Sequence, residues 1–108
     1  KINKFNKQKF FEANIFQNKQ NNYYLLKNRK FNFLKDMPIF PMNEIPKTKF
    51  KNHLGKRINI KMSNMDMRIA INMKNNLPEN SDGFFINVKD LSNWTLPSFT
   101  KKILNSIK

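Results

Sequence analysis

The most regular stretch of the chain is "RINIKMSNMDMRIAINM", Arg57 to Met73. Ile58, Ile60 and Met62 alternate with Asn59 and Lys61. Past Ser63 and Asn64 the alternation resumes out of phase, with Met65, Met67, Ile69, Ile71 and Met73 apolar and Asp66, Arg68 and Asn72 polar. A period of two is that of a half-buried strand. A two-residue loop at Ser63-Asn64 explains the change of phase. It pairs 62 with 65, 60 with 67 and 58 with 69, and puts all six side chains on one face. On the other face Lys61 then lies opposite Asp66, and Arg68 opposite Asn59. A helix is the rival, because Met62, Met65, Ile69 and Met73 also fit a helical stripe. The hairpin is preferred because alternation accounts for every apolar residue from 65 to 73 except Ala70.

Downstream, "NNLPENSDG" at 75–83 is a loop by composition. Phe84 to Val88 follows as a strand, expected to join the hairpin in one sheet. Ser98 suits the N-cap of a helix over "FTKKILNSI", where Phe99, Ile103, Leu104 and Ile107 share a face. Trp94, the only Trp, is expected to anchor the loop before Pro97 by packing.

Upstream, Pro38, Pro41 and Pro46 fix φ and push their predecessors away from the helical region. Residues 36–55 therefore read as an extended segment, made apolar by Ile39, Phe40, Met42 and Ile45. The first third is low in complexity. The ragged spacing of Phe5, Phe10, Phe11, Ile15 and Phe16 suggests a helix over roughly 5–19. The alternative is a basic arm that orders against a partner. Tyr23, Tyr24, Leu25 and Leu26 form a short apolar knot.

The expected fold is thus α+β: a small antiparallel sheet (hairpin 57–73 plus strand 84–88), a C-terminal helix and a long basic extended N-terminal arm. By segment, 1–35 is the arm, partly helical; 36–55 is the Pro-rich extended segment; 56–108 is the small α+β unit. So small a core is marginal alone, which points to a larger assembly.

Charge changes the picture next. Lys and Arg number 21 against 7 acids, a net charge of +14 over 108 residues. Such a chain attracts polyanions, nucleic acid first and an acidic membrane surface second. Part of the excess has another source. Lys, Asn, Ile and Phe supply 59 residues, whereas Gly, Ala, Arg and Pro supply 12. The first group uses AT-rich codons, so a biased genome inflates the Lys count without explaining the scarcity of acids. The distribution is uneven, with nine basic residues and one acid in residues 1–35.

Several chemistries lack their parts. With no Cys there is neither a disulfide framework nor a thiolate metal site. No run approaches the ~18 apolar residues of a membrane-spanning helix, so no transmembrane segment is expected. His53 is the only His, with no thiol to activate. Beside Lys49, Lys51, Lys56 and Arg57 it suits a polar contact or a phosphate neighbour better than a general base. Glu79 and Asp82 share a loop, where a solvated turn is a plainer explanation than a carboxylate pair. Gly55 and Gly83, the two glycines, build no phosphate-cradling loop. Neither catalysis, cofactor, metal nor small-molecule substrate is expected.

Nucleic-acid contact has its parts. Lys27, Arg29 and Lys30 follow the Tyr-Leu knot. Lys47, Lys49 and Lys51 alternate in "PKTKFKNHLGKR", with Lys56 and Arg57 close behind. On extended chain the alternating ammonium groups would project to one side and track one phosphate backbone. Phe31, Phe33 and Phe50 interleave, as base stacking requires. The competing explanation is a solvated basic face with Phe in the core. No zinc-finger spacing, aromatic ribonucleoprotein motif or basic heptad is present, so such contacts would position RNA without reading its sequence.

Residues 83–100, "GFFINVKDLSNWTLPSFT", carry a further pattern. Gly83 opens it, and Phe85 and Ile86 stand for an apolar strand. Val88, Lys89, Asp90 and Leu91 make an aliphatic-Lys-acid-aliphatic step. Trp94, Leu96, Pro97, Phe99 and Thr100 close it. In this order the segment resembles the mitochondria-specific large-subunit ribosomal protein family numbered forty-one, over 18 of 108 residues and with a one-residue gap within Leu91–Trp94. Upstream it departs from that family, because 56–83 has one Gly and two Arg in place of a Gly- and Arg-rich stretch. Downstream, "KKILNSIK" lacks the family's Lys-Pro-aromatic segment. The resemblance implies a structural constituent of an organellar ribosome's large subunit, with rRNA and neighbouring ribosomal proteins as partners and no enzyme activity. The mitochondrial matrix is the implied compartment, with a plastid-type organelle as the other. The alternative expectation is a lineage-specific accessory subunit of an organellar membrane complex. In that case 37–46 would wrap a protein surface and the positive charge would face anionic lipid.

Overall fold

A computed structural model describes residues 7–62, 65–76, 78, 82–93 and 95–107. Phe5, Ser63, Asn64, Glu79 and Trp94, and the roles expected of them, lie outside these residues. The elements are β1 (Lys7–Phe16), β2 (Asn22–Lys27), β3 (Pro38–Ile39), β4 (Met42–Glu44), α1 (Lys47–Lys51), β5 (Arg57–Met62), β6 (Met65–Lys74), β7 (Phe84–Asn87) and α2 (Ser98–Ile107). A 3-10 helix over Val88–Asn93 follows β7. The class is α+β, with two sheets of antiparallel strands ordered β4-β1-β6-β5 and β3-β2-β7. The chain divides into two units, one of 1–13 and 42–72, the other of 14–41 and 73–108.

In the first unit the hairpin forms in the expected register. Met62 faces Met65, Ile60 faces Met67 and Ile58 faces Ile69, while Lys61 faces Asp66 and Asn59 faces Arg68. Ile60, Met67 and Ile69 are buried. At roughly 1.5–3 kcal/mol for each fully buried side chain, this shared face is what holds the pair in phase.

The expectation of a helix over 5–19 is corrected where it can be seen, because 7–16 is strand β1. The reason is cover on both faces. Phe11 and Ala13 are buried on one face. Phe10, on the other, packs against Ile45, Phe50 and Ala70, its ring 5.1 Å from that of Phe50. β1 is a central strand between β4 and β6; its period of two runs from Phe11 to Ile15, with Phe11, Ala13 and Ile15 buried and Glu12 and Asn14 half-buried, and is blurred by Phe10 and Phe16 on the other face.

The second unit is built on β2. Tyr23 pairs with Ile86, Tyr24 with Phe85 and Leu25 with Phe84, so β7 lies beside β2 and does not join the hairpin. The strand expected at 84–88 also ends one residue early, because Val88 begins the 3-10 helix. Alternation marks a strand but not its partner; aromatic matching chooses here. The Tyr24 and Phe85 rings lie 5.3 Å apart, and Gly83 N donates to the Tyr24 hydroxyl at 2.7 Å. A Cβ at Gly83 would sit 2.2 Å from Leu25 O, so only glycine fits this approach.

Helix α2 buries Phe99, Thr100, Ile103 and Leu104. Its Thr100 hydroxyl donates to Pro38 O at 2.6 Å, tying it to β3. Ser98 lies inside the helix. The first helical bond runs from Lys101 N to Pro97 O at 3.1 Å, so the cap falls one residue earlier than expected. Between β1 and β2, Asn18 Oδ1 accepts from Gln20 N and Asn22 N, both at 3.0 Å. Asn21 there holds a φ of 63°, a conformation Asn tolerates.

Candidate nucleic-acid interface

In the second unit the chain leaves β2 at Lys27 and turns around Asn28, a fully buried polar residue. Asn28 Oδ1 accepts from Lys30 N at 3.1 Å and Phe31 N at 3.0 Å. Asn28 Nδ2 donates to the carbonyls of Phe33 and Leu34. The Asn28 backbone N donates to Met37 O at 2.9 Å, and its carbonyl accepts from Asp36 N at 2.7 Å. Only an amide side chain both accepts and donates in this way; a carboxylate could not donate. These bonds offset the left-handed conformations of Leu34 (φ 51°) and Asp36 (φ 61°), which cost about 1–3 kcal/mol each.

The loop so fixed presents Arg29 and Lys30 to solvent. Arg29 Nε lies 3.5 Å from Asp36 Oδ1, but both side chains are largely exposed, so the pair contributes little to stability. Lys30 Nζ sits 5.5 Å over the Phe31 ring. Phe31 stacks on Phe33 at 5.1 Å, and Phe33 meets Phe99 at 6.2 Å.

In the first unit the cations sit on α1 and the start of β5. Here the extended backbone expected through 47–51 is corrected to a helix, opened by Phe50 N donating to Pro46 O at 3.2 Å. Lys47 and Lys51 share a face one turn apart, and Lys49 lies about 200° round. Lys49 Nζ instead reaches Glu12 Oε1 at 3.7 Å, while Asn72 Nδ2 donates to Glu12 Oε2 at 3.1 Å. The three ammonium groups therefore do not line up along one phosphate backbone. Phe50 is buried and unavailable for stacking. It supports Arg57, whose guanidinium lies 5.7 Å from the ring centroid and donates to Lys51 O at 3.3 Å.

His53 fixes the turn that follows. Its Nε2 lies 2.8 Å from Ile71 O, which can only accept, so that nitrogen carries the proton. Ile71 N donates to Lys56 O at 2.8 Å. A Cβ at Gly55 would come within 2.9 Å of His53 Nε2. The loop between them puts Leu54 wholly in solvent.

Of the residues singled out in the sequence, Lys27, Arg29 and Lys30 are brought together in the second unit, and Lys47, Lys49, Lys51, Lys56 and Arg57 in the first. All eight are exposed. Asn28 was missed; its signal is an Asn immediately before Arg-Lys at a strand end, where Asx turns form. Among the described residues, no group of three or more His, Asp or Glu could hold a metal ion. Among the described residues, no helix is long and apolar enough to cross a membrane. No family model matches the chain, and no curated protein matches it.

Proposed function

We propose that the protein is a structural constituent of an organellar ribosome's large subunit, in a mitochondrion, contacting rRNA through exposed cationic side chains. The observation that carries this reading is the exposure of all eight cations on backbone that the chain itself holds in place. Lys27 ends β2, Arg29 and Lys30 stand on the loop organised by Asn28, Lys47 and Lys51 on α1, and Lys56 and Arg57 at the entry to β5. Cations mounted this way lose less freedom on binding than those of a loose arm. Such contacts position RNA without reading its sequence, which suits a structural component. The sequence pattern of 83–100 adds the ribosomal setting.

The membrane-complex alternative has lost its main motive. Ile39, Phe40, Met42 and Ile45 are buried within the chain, leaving 37–46 little apolar surface with which to wrap a partner.

The test has two parts. RNA affinity of the purified chain should fall linearly in log-log form with salt. In lysates the chain should migrate with the large ribosomal subunit and be released by ribonuclease. Migration with a detergent-solubilised membrane complex, insensitive to ribonuclease, would sink the proposal.

A further inference from the structure

Beside the Asn28 loop the second unit has an open cleft of about 680 Å³, lined among the described residues by Leu26, Lys27, Arg29, Lys30, Asp82 and Phe84. Its size falls within the ~300–1,000 Å³ of small-ligand clefts. Its lining is mixed in a specific way. Half-buried Phe84, on the sheet face it shares with Lys27, gives an aromatic contact of the kind a planar base takes. Lys27, Arg29 and Lys30 bring three cations from one short stretch of chain. Asp82 brings one carboxylate, which disfavours a second phosphate at its position and accepts from the N–H edge of a base.

We infer that this cleft takes one unpaired nucleotide of an RNA chain, its base against Phe84 and its phosphate on Lys27, Arg29 and Lys30. The inference rests on the RNA-binding reading above, and adds where and in what form the RNA is held. Both walls are built in advance. One is set by the buried Asn28 amide, whose acceptor and donor atoms tie down the backbone of 30–34. The other is set by Gly83, packed against Leu25 O and bonded to the Tyr24 hydroxyl, which delivers Phe84 to its place opposite Leu25. A paired base is excluded because its faces are already stacked and the open minor groove of an A-form duplex offers base edges and 2′-hydroxyls, not a base face.

The experiment compares an RNA single strand, a blunt duplex of equal length and a mononucleotide by fluorescence competition. The single strand is expected to bind several-fold more tightly than the duplex, and the mononucleotide far more weakly than either. Phe84→Leu keeps an apolar side chain in β7. It should lower single-strand affinity about tenfold, the scale of one lost base–aromatic stack, and leave duplex affinity unchanged. The double variant Lys27→Gln, Lys30→Gln changes exposed residues only and should weaken both RNAs. Photocrosslinking of the single strand to the unaltered chain should map to 26–30 or Phe84, and it decides the matter should the Phe84 variant melt early. Equal affinity for strand and duplex, a Phe84 variant that binds both as before, or crosslinks confined to other residues each overturn the cleft as a base site. Loss of the whole RNA-binding reading looks different: neither RNA binds with a salt dependence.

Discussion

The β5–β6 hairpin and the loop from Asn28 to Met37 hold their shapes by opposite means. In the hairpin the work is spread over cross-strand pairs, none of them decisive alone. In the loop it converges on one buried amide, whose side chain holds two N–H groups and two carbonyls. A distributed arrangement degrades gradually, and a concentrated one fails at once. The hairpin therefore suits a framework, and the loop suits a surface whose charged residues must stand in fixed positions.

Substitutions can break that contrast. Asn28→Ala should have the largest effect, about 3–5 kcal/mol by urea unfolding, because four backbone groups lose their partner together. Asn28→Asp sharpens the point: it keeps the acceptor, loses the donors, and should recover less than half of that loss. Gly83→Ala comes next, at about 1–3 kcal/mol, because the new Cβ forces β7 away from Leu25. Ile60→Val in the hairpin should cost only about 0.5–1.5 kcal/mol. Smallest is the Lys61–Asp66 pair: that carboxylate is bound by Arg68 at 3.2 Å, so a Lys61/Asp66 double-mutant cycle should return no more than about 0.2 kcal/mol of coupling. Should Asn28→Ala cost no more than Ile60→Val, the loop is as distributed as the hairpin and the contrast fails.

The same contrast explains what the sequence disclosed. The register of the hairpin was legible to the residue, because Ile60, Met67 and Ile69 share one buried face, although Asp66 and Ala70 are buried on the other. Helix α2 was legible for the equivalent reason at a helical period, with Phe99, Ile103 and Leu104 buried as expected. Strand β1 was not legible, because Phe10 and Phe11 are both apolar and serve opposite faces. The partner of β7 was hidden because pairing is decided by Tyr24 and Gly83, far apart in sequence. The loop was hidden by composition. Asn18, Asn28 and Asn87 each accept a hydrogen bond from the backbone N–H two residues on. Among 19 Asn in 108 residues the Asx signal is diluted, and at Asn28 it is legible only once the end of β2 is known. For the candidate site, the eight cations were legible as exposed charge, but the backbone beneath them was not. Alternating Lys at 47, 49 and 51 suggested extended chain, whereas the helical turn directs Lys49 to Glu12.

The buried amide at Asn28 also sets a chemical clock. Asparagine is among the thermolabile residues; it deamidates when the backbone nitrogen that follows it attacks the side-chain carbonyl. In the folded loop both polar atoms of that amide are occupied, which holds the group away from the geometry the attack needs. An unfolded chain has no such protection. Once the amide has become a carboxylate it can only accept, and on refolding it would face the carbonyls of Phe33 and Leu34 with nothing to donate. Among the 19 Asn that an unfolded chain exposes to this reaction, Asn28 is one where the folded loop cannot accommodate the product. A chain so altered would refold with a strained turn beneath Arg29 and Lys30.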